Sequence, residues 1–162
     1  MKLTKIIVTL SLIYTIVMLT ACPAASLQKA ESASKRIATY ANAGVNVTRT
    51  LFESKVISIG QKDEVARKFI VLAEGGIAFD IAIGKAKQLY GTNVPKSELV
   101  KIFAIFDTEL VERFLDVLQS LRIIANKAAF AAVIDTIRAS VLIIANVFGQ
   151  RHLIETKIRA AI

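Results

Sequence analysis

The chain has 162 residues, 54% of them hydrophobic and 21% charged, and its 21 basic and 13 acidic residues leave a net charge of +8. One Cys, one His, no Trp, seven Gly and two Pro exclude a disulfide framework, a zinc site of several Cys and His ligands, a collagen-like repeat and an intrinsically disordered chain. The length suits one domain with an independent core.

The N-terminus has the order of an export signal. Lys2 and Lys5 form a short basic start, and Ile6 to Leu19 is an uncharged, mostly apolar run of 14 residues. That length matches the apolar region of a signal peptide and falls short of the roughly 20 residues of a membrane-spanning helix. The run ends at Leu19-Thr20-Ala21-Cys22, and Pro23 follows it.

These four residues resemble the lipobox of bacterial lipoproteins. There a Leu stands three positions before the Cys and a small residue just before it. The resemblance covers residues 1–22 only. It implies that Cys22 receives a diacylglyceryl group on its sulfur and that the lipoprotein signal peptidase cleaves before it, with Leu19, Thr20 and Ala21 as recognition residues. Thiolate nucleophilicity is what that attachment chemistry requires, and two or three acyl chains give stable membrane anchoring where one does not. Pro23 stands where the inner-membrane retention signal of enterobacterial lipoproteins has Asp. The resemblance therefore favours the periplasmic face of the outer membrane in a Gram-negative host. The mature chain would carry 19 basic residues against 13 acidic ones, a net of +6.

Residues 22–35, small and polar after the Cys, read as a short tether. Helical periodicity then fills most of the chain. The first helix is expected over about 28–54, with Ile37, Ala41, Gly44, Val47 and Leu51 on one stripe. Ser58 and Gln61 have the spacing of a capping box for a second helix over about 60–90. Its seam, Val65, Phe69, Leu72, Gly76, Phe79, Ile83, Ala86 and Tyr90, alternates steps of four and three. Gly91 suits its C-terminal cap.

A third helix is expected over about 95–122, carrying Leu99, Phe103, Phe106, Leu110, Phe114, Val117 and Leu121, with Asp107-Thr108 as an interruption. A fourth spans about 127–148, with Asn126 as N-cap, Phe130, Ile134, Ile137, Val141, Ile144 and Phe148 on its stripe, and Gly149 at its end. Glu31/Lys35, Asp63/Arg67, Glu64/Lys68 and Glu109/Arg113 are spaced as helix-supporting ion pairs. The tail, 150–162, reads as a short amphipathic turn or a frayed end. Four stripes joined by short turns predict an all-α chain, an antiparallel four-helix bundle over 36–149.

No residue pattern points to catalysis. His152, the lone histidine, has no partner at a spacing that would orient it as a base and reads as a solvated tail residue. Asp63, Glu64, Glu109, Glu112 and Asp116 lack the Glu-x-x-His pattern of a di-iron bundle and read as solvated faces. No metal site and no cofactor are expected. Asn46-Val47-Thr48 matches the glycosylation pattern, but it lies mid-helix in a chain with a bacterial address.

Gly75-Gly76 is the unusual local feature, since two glycines inside a helix cost about 2 kcal/mol relative to alanines. Either the pair allows close helix contact or a kink, or it leaves a gap for an apolar ligand lined by Phe69, Phe79, Phe103 and Phe106. The basic surplus has no recognition motif for nucleic acid; its charges are spread out and read first as a solvated surface, and outside the cytoplasm they suit anionic lipid headgroups, lipopolysaccharide, cell-wall polymers or another envelope protein. Spare apolar positions on the third helix would equally serve a homodimer. The function expected is a lipid-anchored, non-enzymatic binding or scaffold module of a bacterial cell envelope. The alternative is a carrier or sensor of an apolar ligand held between the helices.

Overall fold

The computed structural model describes residues 23–91 and 93–162, which form an all-α fold. The signal segment and Cys22 lie outside the described residues. Helix α1 covers Pro23–Glu53 and α2 covers Ile59–Tyr90. Helix α3 (Lys96–Phe106) passes through a π-helical segment (Asp107–Glu112) into α4 (Arg113–Ser120), forming one rod that ends in a 3-10 turn at Leu121–Ile123. A 3-10 turn at Lys127–Phe130 leads into α5 (Ala131–Val147), and α6 covers Arg151–Ala161.

The caps follow from local chemistry. The Ser58 hydroxyl accepts from the Gln61 amide while the Gln61 side chain accepts from the Ser58 amide, the reciprocal pair expected from their spacing. Gly91, at φ 60°, closes α2 by donating to Lys87 O. The end of α1 has no glycine. Lys55 takes the left-handed conformation there, at φ 59°, and Val56 N donates to Leu51 O at 2.9 Å. That is the helix-ending geometry in which glycine is ordinarily found.

Three sequence expectations need correction. Residues 23–35 are not a tether, because α1 begins at Pro23 and Leu27, Ala30 and Ala33 are buried in the core. Their spacing continues the Ile37–Ala41 stripe, and an alanine-rich segment favours helix. Small, polar composition concealed that continuity. Asn126 makes no side-chain cap, and a 3-10 turn separates it from α5. The tail is a helix, with Ile154 and Ile158 fully buried. The Ile spacing of four and the Arg151–Glu155 pair were its signals.

Contacts between rods have a regular register. Ser34 lies against Asp80 and Gly76, Gly44 against Phe69, and Glu31 against Lys87, so α1 and α2 run antiparallel. Gly75 meets Glu109, Arg113 Nη1 donates to Val71 O at 2.7 Å, and Lys68 reaches Asp116 at 2.8 Å, so α2 and the third rod do the same. Phe130 stacks on Phe69, whose ring fills the space beside Gly44. The start of α5 thus lies beside the later part of α1, and α5 runs back toward the beginning of α1. Helix α6 packs on α5 and α4, and Arg122 Nη2 donates to Ala161 O at 2.6 Å.

The core is a chain of aromatic contacts. Phe69 stacks on Phe130 at 5.8 Å, and Phe79, Phe103, Phe106 and Phe148 form a second cluster with centroids 5.6–6.4 Å apart. Such pairs stabilise beyond their buried area. The segment Lys127–Val147 is long and apolar enough to cross a membrane by composition. Here Phe130, Ile137, Val141 and Ile144 are fully buried against neighbouring helices, while Ile143 on the other face is 40% exposed.

Candidate functional site

The glycine pair is filled, not open. A methyl group at Gly75 would overlap the Glu109 carbonyl oxygen, and one at Gly76 would come within 3.2 Å of Ser34 O and the Ala38 side chain. Adjacent residues on a helix point about 100° apart, so the pair serves two interfaces: Gly75 seats the π segment and Gly76 seats α1. This overturns the apolar-ligand gap at Gly75 and Gly76. Phe69, Phe79 and Phe106 are buried and Phe103 half-buried, all packed on other rings, so they line no cleft there.

The π segment explains a detail of the third stripe. Phe106, Leu110 and Phe114 are two steps of four in succession, where the seams of α2 and α5 alternate four and three. A wider turn absorbs the extra residue and keeps all three in the core. It also aims Glu109 O at Gly75, while Arg113 bonds Val71 O and pairs with Glu109.

Asp107, Glu112 and Asp116 form ion pairs across the rods. Asp116 meets Lys68, and both Asp107 and Glu112 meet Lys157 of α6 at 2.9 and 3.0 Å. Asp63 pairs with Lys62, so the expected Asp63/Arg67 and Glu64/Lys68 pairs give way to other partners. Glu31/Lys35 and Glu109/Arg113 form as expected. Burial opposes the charge on Lys157, but hydrogen bonds to Asp107 and Glu112 outweigh it and hold the ammonium above its ordinary range. Glu31 is held below the usual carboxylate value by hydrogen bonds from Lys35 and then Lys87. Among the described residues no three His, Cys, Asp or Glu side chains gather as a metal site. His152 is exposed on α6. Thr48 of the Asn46-Val47-Thr48 pattern is buried, its hydroxyl donating to Gly44 O at 2.8 Å.

A large concavity lies elsewhere, on the opposite side of α1 from α2. It is an open groove of about 890 Å³ between the first half of α1 and the last half of α5. Its apolar lining comes from Ala33, Ala139, Leu142, Ile143 and Val147. Ile143 is 40% exposed, a large apolar side chain left facing solvent. Gln28, Ser32 and Asn146 add neutral polar groups, and Lys29, Arg36 and Arg151 supply three cations. No carboxylate lines it; Glu155, which accepts from Arg151 at 3.2 Å, stands beside it. Among the described residues Lys29 and Arg36 make no ion pair.

Periodicity within each helix places these groups. Residues 28, 29, 32, 33 and 36 form one strip of α1, and 139, 142, 143, 146 and 147 one strip of α5. Bulky and charged side chains hold the helices apart at their surface, where glycine and alanine let α1 and α2 close. Lys29 and Arg36 stand seven residues apart on one face of α1, inside the helix expected from periodicity, but nothing in the sequence shows that α5 comes to lie beside that face.

No protein-family model matches this chain, and no curated protein or solved structure is significantly similar to it.

Proposed function

We propose that this chain is a lipid-anchored, non-enzymatic binding or scaffold module of a bacterial cell envelope, attached through acyl groups on Cys22. The observation that carries the reading is the ordered sequence of Lys2 and Lys5, the apolar run, and Leu19-Thr20-Ala21-Cys22. On this reading the mature chain is an up-and-down four-helix bundle made by α1, α2, the α3–α4 rod and α5, with α6 as a short fifth helix. The antiparallel contacts of α1 with α2 and of α2 with the third rod support that arrangement. The proposed location is the periplasmic face of the outer membrane if the host is Gram-negative.

An anchored bundle of this kind works by presenting a surface. Its start is tied to the membrane, and α1 rises directly from the attachment point without a long linker. The surfaces nearest the membrane are then the first turns of α1 and the end of α5. Metabolic labelling with an alkyne palmitate tests the anchor. The wild-type chain takes up label and the Cys22→Ala variant takes up none; equal labelling of the two would overturn the reading.

A further inference from the structure

We infer that the groove between α1 and α5 holds an anionic phospholipid of the membrane to which Cys22 attaches the chain, an inference that rests on the anchored reading above. Three features point to this occupant. First, the lining charge is basic: Lys29 and Arg36 make no ion pair among the described residues, Arg151 pairs with Glu155 beside the groove, and no carboxylate lines it. Guanidinium groups match phosphate oxygens in a two-point fork, and an ammonium adds a point charge. Second, the groove has an apolar lining, with Leu142, Ile143 and Val147 among its residues. A free phosphate or sugar phosphate would leave that surface wet, whereas the upper part of an acyl chain would cover it.

Third, the groove lies at the anchored end. Lys29 is six residues beyond Pro23, about 9 Å along a helix, which is close to the Debye length of roughly 8 Å at physiological salt. Basic side chains at that distance feel the potential of an anionic membrane surface. Arg36 is about 10 Å further along the axis, so the cations extend from the headgroup layer outward. A lipid in the groove would meet these cations with its phosphate and lay chain carbons on Ile143.

The test uses the full-length protein extracted from membranes in a mild zwitterionic detergent and examined by native mass spectrometry. It is titrated with phosphatidylglycerol, with phosphatidylcholine of the same chains, and with glycerol phosphate alone. Phosphatidylglycerol should bind at least about tenfold more tightly than phosphatidylcholine, as the two unpaired cations Lys29 and Arg36 imply, and glycerol phosphate should bind far more weakly. The triple variant K29Q/R36Q/R151Q should lose the preference. K55Q/K85Q/K96Q, which removes the same charge from elsewhere, should keep it; a circular dichroism melt checks that both fold.

Equal binding of the two lipids, equal loss in the two triple variants, or binding of glycerol phosphate as tight as that of the lipid would overturn the inference. So would crosslinks from the groove to a protein in place of lipid. The same spectra report the covalent acyl mass on Cys22. An acylated chain without lipid preference sinks the groove inference alone. An unacylated chain that still prefers phosphatidylglycerol sinks the anchor while supporting the groove's specificity.

Discussion

Helix α1 has two long faces with opposite construction. Toward α2 it presents Ser34, Ala38 and Gly44, and the two backbones close until Gly76 meets Ser34 O and Gly44 meets the Phe69 ring. Toward α5 its first half presents Lys29, Ser32 and Arg36, and there the helices leave a groove of about 890 Å³. Side-chain size accounts for the difference. Small residues let dispersion contacts form over a whole interface. Long charged ones hold their ends in water and keep the neighbour away. The closed face carries stability; the open face leaves surface free to bind.

Variants on the closed side should therefore cost stability, and variants on the open side should not. The largest effect is expected at Ile158, fully buried where α6 seals the fold. Ile158→Ala should lose about 2–5 kcal/mol in a urea melt; a loss below about 0.5 kcal/mol would return the tail to a frayed end. Gly75→Ala comes next. It gains about 1 kcal/mol of helix propensity, but the new methyl must displace the Glu109 backbone. Overpacking of that kind costs about 1–3 kcal/mol, and an obstacle made of backbone puts the cost toward the top of that range. Gly84→Ala is the matched control: the site is open, with nothing within 4 Å of the added methyl. It should raise stability by about 0.5–1 kcal/mol, so the two glycine variants should shift the melt in opposite directions.

On the open face, Lys29→Gln and Arg36→Gln should each change stability by no more than about 0.5 kcal/mol. A larger loss in the melt would mean that these cations hold the fold together. The smallest effect concerns the Lys35–Glu31–Lys87 cluster, which ties the start of α1 to the end of α2. The folded-state value of Glu31 lies below its ordinary 4.5. Its stabilising contribution is therefore present above that ordinary value and is lost as pH falls through the lowered one. The wild-type advantage over Glu31→Gln, measured by thermal melts, should be present near neutral pH and vanish in acid.

The sequence was most legible where periodicity and caps agreed. The α2 seam from Val65 to Ala86 is buried throughout, and the Ser58–Gln61 capping box forms. Tyr90, at its end, is exposed. The interruption expected at Asp107-Thr108 is the π segment. Gly75-Gly76 was legible as a feature but not in its use. Only the placement of Glu109 O and Ser34 O shows two interfaces meeting at adjacent residues.

What the sequence concealed came from composition weighed against spacing. Residues 23–35 look like a tether by residue type, yet Leu27, Ala30 and Ala33 extend the stripe of α1. In the tail, Ile154 and Ile158 repeat the same signal over only two turns. The groove was hidden for another reason: it forms because α5 returns alongside the first half of α1. Which faces of two distant segments meet is a tertiary fact, and neither segment's own periodicity contains it.

The central claim is that Cys22 is the first residue of an anchored mature chain, and the intact mass of the protein from its native envelope tests it most directly. The account predicts a mass beginning at residue 22 plus two or three acyl groups, with neither cleavage there nor acylation in Cys22→Ala. A mass that retains residues 1–21, or one cut elsewhere and carrying no acyl group, would contradict it.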